Sequence, residues 1–344
     1  MTAIPDTTAS DTTASDKTAS ATRAPGTPVA ADAVTDRGLP LDPALDALAT
    51  EQHGMLTTAQ LRTAGLEPAD IVALVKRDIL IHPGRGLYAV AAQKSPDAAT
   101  WHRQLVAGAF LLYPDAILTG ISAILANSLP VWDSPIARPT LVRPRARTGG
   151  MSAFHIRRKA TRQRGADSPW GPCVDLAEAL VQHAMDNGLV QGVVSLDAAL
   201  HTGKVTEDDV AAVIERVAAW PRVSRARSML KLADGRRETP GESRTGVMLS
   251  FLGYDVIPQF QIFDQGGRLI ARVDFLIKGT RVIIEFDGKI KYADDDGTAL
   301  FDEKKREDLL RSLGYVVVRL VWSDLNAPAA VDARIRRALA IAAR

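Results

Sequence analysis

Apolar positions first become regular after a polar opening stretch. In ALDALATEQHG, Leu45 and Leu48 fall on one helical face and the pattern stops at Gly54. TTAQLRTAG starts on a Thr suited to cap a helix and ends at Gly65, and EPADIVALVKRD carries Pro68 early with Ile71, Leu74 and Val75 at helical spacing. The run ILIHPGRGLYAV is apolar on both sides of Pro83 and Gly84, which predicts a two-stranded ribbon turning at that pair. Three short helices followed by a hairpin is the order of a winged helix-turn-helix. Glu67 to Asp78 is then the expected recognition helix, with Lys76, Arg77 and, in the wing, Arg85 as expected DNA phosphate contacts. A small helical module that packs on its neighbour and touches nothing has the same pattern.

Between Thr100 and Trp220 amphipathic helices are expected at Trp101 to Leu112, Thr119 to Ala126, Val174 to Asp186 and Asp208 to Ala219, with strands near Arg138 to Val142 and Phe154 to Arg158. This is a mixed α/β pattern without a catalytic constellation. His102, His155, His183 and His201 fall on different elements, and neither Ser122 nor Cys173 has the sequence context of a nucleophile.

From Pro240 the period changes. GESRTGVMLSFLGY predicts a helix with Glu242 near its start; DVIPQFQI, RLIARVDFLI and RVIIEFDGKIKY predict three strands. ALFDEKKREDLLRSLGY predicts a helix ending at Gly314, YVVVRLVW a fourth strand, and PAAVDARIRRALAIAAR a closing helix. Asp274 interrupts one apolar run, and Glu285 with Asp287 lies near the end of another. Carboxylates on buried strands are costly unless paired or metal-bound. Residues two apart on a strand share a face, so Glu285, Asp287 and, if the strand extends that far, Lys289 project together, and Asp274 on the neighbouring strand can join them. Such a set suits a hard divalent cation, Mg²⁺ or Mn²⁺, on Asp274, Glu285 and Asp287. The plain alternative puts these acids at strand ends in water, with Asp287-Gly288 as a turn.

Composition narrows the setting. Lysine and arginine number 42 against 40 acids, a net charge of +2, so overall charge selects no partner. The distribution is more informative: from Leu141 to Gly165 the chain carries Arg143, Arg145, Arg147, Arg157, Arg158, Lys159, Arg162 and Arg164 and no acid. An unopposed basic segment attracts phosphate backbones, although a solvated hairpin reads identically. With 1 cysteine there is no internal disulfide and no cysteine-rich zinc site, which fits a reducing cytoplasm. No apolar run approaches the ~20 residues that span a bilayer, and Met1 to Thr22 lacks the apolar centre of a secretory signal, so a soluble cytoplasmic protein without membrane contact is expected. Residues 1–40 hold the near repeat TTASD and few large apolar side chains, the composition of a disordered tail.

Two family resemblances sharpen this reading. The words GMLTTAQLRTAGLEPADIVALVKRDILIHPGRGLYAV resemble the N-terminal domain of the AbiEi family, antitoxins of abortive-infection systems that act as transcriptional repressors. The likeness continues more weakly through DAILTGISAILANSLPVW and VDLAEALVQHA, over roughly residues 42–215. VDFLIKGTRVIIEFDGKIKY with FDEKKREDLLRSLGYVVVRLVWSDL resembles the Vsr-like endonuclease domains of the PD-(D/E)XK superfamily, over about residues 240–344. That second resemblance implies that Asp274 and Glu285 are metal-binding acids and that Glu242 is the acid contributed by the first helix. Lys304, Arg306 and Arg319 match a recurrent supporting basic set. The chain departs from the pattern in having Asp287 where many members have Lys, and Tyr292, preceded by Lys289 and Lys291, where relatives commonly have His.

The expected architecture is therefore a multidomain α+β chain. It comprises a tail (1–40), a winged helix-turn-helix (41–92), an α/β middle domain (93–235) and a restriction-endonuclease-like α/β domain with a central mixed sheet (236–344). The expected function is DNA binding with metal-dependent hydrolysis of DNA phosphodiesters, Glu242, Asp274, Glu285, Asp287 and Lys289 being catalytic. The rival is an AbiEi-like antitoxin or transcriptional repressor whose nuclease-like domain does not catalyse. Double-stranded DNA is the expected partner, with a toxin or a second copy of the chain also considered.

Overall fold

Local capping closes the first helices. In α1 (Pro43–Glu51) the Asp42 side chain accepts the Ala44 amide at 2.7 Å, and proline occupies the first turn, where its missing N–H costs nothing. β1 (Met55–Thr57) leads into α2 (Thr58–Thr63), where Thr57 and Gln60 cap each other through bonds of 3.2 and 2.8 Å. α3 (Pro68–Lys76) again starts on proline, and the Glu67 amide is taken by Asp70 at 2.9 Å. The structure is a computed structural model that describes residues 41–144, 149–150, 153–158, 165–264, 266–288 and 297–344. The expected tail lies outside the described residues.

β2 (Leu80–Gly84) and β3 (Leu87–Val90) complete an antiparallel sheet in the order β1-β3-β2. Two details correct the sequence reading. β1 was not anticipated, because three residues carry no readable period. The hairpin turns at Arg85-Gly86 rather than at Pro83-Gly84: Gly84 still pairs with Leu87, and Gly86 has the positive φ of 83° that a tight turn demands. Pro83, which has no N–H for a ladder, falls in the irregular stretch between Ile81 and Gly84. Leu45, Ala49, Leu56, Leu61, Ile71, Leu74, Leu80 and Val90 form a small core, while Met55, Leu87 and Ala89 face the other way and join a larger one.

That larger core begins on α4 (Ala98–Leu112), through Leu105, Val106 and Ala109. It runs beneath β4 (Ile117–Leu118), α5 (Gly120–Ala126), β5 (Thr140–Arg143), β6 (Gly149–Gly150), β7 (His155–Arg158), β8 (Gly165–Ser168) and β9 (Gly171–Val174), which make a 6-stranded sheet in the order β6-β7-β5-β4-β9-β8. α6 (Leu176–Asn187), α7 (Leu189–His201), α8 (Glu207–Arg216) and α9 (Val223–Leu232) follow. The sequence reading missed α7 and α9.

The last part has the order expected from the sequence: α10 (Pro240–Phe251), β10 (Val256–Phe263), β11 (Leu269–Ile277), β12 (Val282–Phe286), α11 (Gly297–Ser312), β13 (Val316–Leu320) and α12 (Pro328–Ala342). The sheet order is β10-β11-β12-β13, antiparallel until β13 runs parallel to β12. Phe275, Ile277, Val282, Ile284, Val318 and Leu320 pack with Leu249 of α10 and Val331 and Ile335 of α12; Ala271, Val273, Leu276 and Ile283 pack with Leu310 of α11. Residues 41–344 form one compact unit of mixed α and β structure, and among the described residues no helix is long and apolar enough to cross a membrane.

Candidate nucleic-acid interface and acidic cluster

The acids singled out in the sequence meet at the start of α10, within β11 and at the end of β12. Thr239 caps α10, and its hydroxyl donates to Glu242 Oε1 at 2.8 Å. The other oxygen, Oε2, accepts the Glu238 amide at 3.0 Å and Gln259 Nε2 at 2.7 Å, so Glu242 is buried with both oxygens satisfied. Asp274 Oδ2 accepts the Phe286 amide at 2.7 Å, a bond made just beyond Ile284, the last residue of β12 in register with β11. Glu285 is held between Arg306 at 2.9 Å and Arg319 at 3.6 Å; Arg319 stands opposite it on β13 and also reaches Glu307 at 3.1 Å. Burial, with the charges of Glu242 and Glu285 adding to it, pushes the Asp274 carboxyl up to about 6, against the Phe286 amide and Arg306, which pull it down.

Gln259 is a member of this cluster that no sequence signal marks. It is the residue of β10 across from Asp274, between the pairs Pro258–Phe275 and Phe260–Val273, and its φ is +51°. A non-glycine residue in that region within a strand is strained, which is tolerated where surrounding contacts fix it. The alternation of β11 slips at the same level: Val273 and Leu276 enter one core while Phe275 and Ile277 enter the other. Gly241 is required nearby, because a Cβ there would lie 1.9 Å from the Phe286 ring. That ring stands edge-on to Trp322 at 4.9 Å, and Arg244 lies over Trp132 at 3.9 Å and over Trp322 at 5.6 Å, tying α10 to the segment before β5.

A resident Mg²⁺ or Mn²⁺ needs carboxylate oxygens converging on one point. Three like-charged acids suit such a cation chemically, yet both oxygens of Glu242 and one of Asp274 are matched by protein donors, and Arg306 and Arg319 already supply positive charge at Glu285. Among the described residues no group of His, Cys, Asp or Glu is arranged to hold an ion. A cation on Asp274 and Glu285 fits only if the two arginines give way. Asp287 follows β12, its amide donating to the Leu320 carbonyl at 2.8 Å. Lys289, Lys291 and Tyr292 lie outside the described residues, and Lys304 lies on α11.

The basic residues expected to meet DNA divide into two groups. Lys76 ends α3, Arg77 is its C-cap and Arg85 tips the hairpin turn; all three are exposed, beside an outward α3 surface of Ala69, Val72 and Ala73. Two arginines of the acid-free segment have instead found acids from elsewhere in the chain. Arg143 pairs with Asp115 at 2.7 Å and lies over Tyr113 at 4.3 Å, and Arg157 pairs with Asp186 at 2.8 Å. Arg158 ends β7, and Arg145 is outside the described residues.

Ser122, which had no nucleophile context, is paired with a histidine: His102 Nε2 lies 2.9 Å from Ser122 Oγ. His102 Nδ1 sits 2.6 Å from the Ile136 carbonyl, which only accepts, so the proton belongs on Nδ1 and the serine hydroxyl donates to Nε2. Ser122 Oγ then accepts the Thr140 amide at 2.7 Å. Both side chains are fully buried, and burial lowers the His102 pKa. The pair is a clamp between α4, α5 and β5, shut away from solvent on both side chains.

Comparison with known proteins adds one family. Residues 43–91 match the model of the transcriptional regulator family AbiEi antitoxin. Two Mycobacterium tuberculosis proteins, the uncharacterized protein Rv2248 of strain H37Rv and MT2308 of strain CDC 1551, are each 28% identical over 152 residues, 43% of this chain. The match spans 55% of the length of each relative. The crystal structure of the RV2827C protein from M. tuberculosis aligns with 64% of this chain and 87% of its own at 16% identity, with a TM-score of 0.37.

Proposed function

We propose that the protein is an AbiEi-like transcriptional regulator that binds double-stranded DNA through a winged helix-turn-helix formed by α1 to α3 and the β1-β3-β2 sheet. The observation that carries this reading is the family match over residues 43–91, whose span coincides with that three-helix, three-strand module. Chemistry supports it: α3 presents Ala69, Val72 and Ala73, side chains suited to thymine methyl groups, with Lys76 at its end and Arg85 at the hairpin tip as phosphate contacts. The α/β middle region and the nuclease-like C-terminal region build on this module as a scaffold, and a toxin is a candidate protein partner. Selection from a random duplex pool tests the reading. Wild type should enrich a defined sequence, and the Lys76→Gln/Arg85→Gln variant should enrich it poorly; no enrichment by wild type defeats the proposal.

One observation favours a second reading, hydrolysis of DNA phosphodiesters at Glu242, Asp274, Glu285 and Asp287. Asp274 is raised first by burial and then by the charges of Glu242 and Glu285, the kind of perturbation that accompanies catalytic carboxyls. Nicking of supercoiled plasmid with Mg²⁺ or Mn²⁺, abolished by EDTA and by Asp274→Ala, supports it; intact plasmid under all conditions rejects it.

A further inference from the structure

α9 carries five basic or hydroxyl side chains on its outward face and no acid anywhere along its length. Val223, Ala226 and Met229 are buried on its inner side, while Ser224, Arg225, Arg227 and Lys231 are exposed and Ser228 is half-buried. At about 100° per residue, Ser224 and Ser228 run down the middle of the outward face, with Arg227 and Lys231 along one side and Arg225 on the other. Arg225 is steadied by a 3.2 Å bond to the Met185 carbonyl. Arg227 and Lys231 take part in no ion pair among the described residues. The contrast with Arg143 and Arg157, each neutralised by an aspartate, is direct.

We propose that the outward face of α9 is a second contact for the phosphate backbone of duplex DNA, an inference that rests on the DNA-binding reading above. Guanidinium, ammonium and hydroxyl donors on one surface are the groups that hold phosphates without reading bases. Arg225 to Lys231 spans roughly 9 Å along the helix axis, room for two or three phosphates at about 3.4 Å of axial rise per strand. The face offers no apolar anchor of the kind that dominates protein–protein interfaces, which favours a polyanion over a protein partner. Just before the helix, Arg222 is exposed as well.

The test is a fluorescence anisotropy titration of a labelled mixed-sequence duplex with the full chain across a range of NaCl concentrations. Arg227→Gln/Lys231→Gln should lower the slope of log K against log salt by about 1.8, and each single variant by about 0.9. Arg227→Lys keeps its charge and should keep the wild-type slope, which separates a phosphate contact from an effect on folding. Lys76→Gln/Arg85→Gln is measured in parallel. If only that variant weakens binding while all α9 variants superimpose on wild type, the α9 contact is overturned and the winged-helix reading stands. If wild type binds no duplex at low salt, both fall.

Discussion

Gln259 reaches from a left-handed backbone position in β10 to donate a 2.7 Å hydrogen bond to buried Glu242. A φ of +51° within a strand is strained, and the side-chain amide of the residue that adopts it satisfies a buried carboxylate. Gln259→Ala removes that donor and keeps the backbone strain, so stability should fall by about 1.5–3 kcal/mol, the scale of a bond to a charged group. Gln259→Gly, which relieves the strain while losing the same bond, should fall less. Thermal melts of the three proteins check the order; Gln259→Ala melting with wild type would show that the bond is not formed.

Asp274 gives a pH signature. Its folded value of about 6 lies above the ordinary 3.8, so the folded state holds a proton that the unfolded chain has released, and Asp274 costs stability increasingly as pH rises through that window. Asp274→Asn keeps an oxygen for the Phe286 amide and removes the charge. It should melt with wild type near pH 4 and above it at pH 7.5. A variant less stable than wild type at pH 7.5 would mean that the carboxylate is stabilised rather than crowded by its neighbours.

Arg244 couples α10 to the segment before β5 through Trp132, 3.9 Å from its guanidinium, and donates to Asn326 Oδ1 at 3.2 Å. Arg244→Gln should cost about 0.5–2 kcal/mol and alter tryptophan emission as Trp132 and Trp322 lose the cation between them. Arg244→Lys should recover part of the stability, since an ammonium stacks less well than a planar fork. Equal melting temperatures and spectra for all three would remove the coupling.

The Ser122–His102 pair is expected to behave as structure. Ser122→Ala strands the Thr140 amide and His102 Nε2 in the core, and should destabilise by about 1–3 kcal/mol. A fluorophosphonate probe should leave the folded protein unlabelled, because the hydroxyl is fully buried. Labelling at Ser122 would establish a reactive site there.

Periodicity carried the element order after Pro240, because β-branched runs and amphipathic helices advertise themselves, and it placed Asp274 and Glu285 on adjoining strands. It did not reveal Gln259, whose positive φ and bond to Glu242 leave no trace in the hydrophobic pattern. It did not show the counter-charges of Arg143 and Arg157, because Asp115 and Asp186 lie far along the chain. It overlooked α9, where cations spaced among serines and alanine form no conspicuous run until the helix gathers them on one side. The Pro83-Gly84 pair read as a turn, yet Gly86 is the residue that bends.

The central claim, duplex binding through residues 43–91, is tested most directly by anisotropy of a labelled duplex titrated with the full chain in EDTA. Wild type should bind to saturation without metal. Lys76→Gln/Arg85→Gln should bind more weakly, with a salt slope shallower by about 1.8. Failure of wild type to bind, or curves for the two proteins that coincide, would contradict the account.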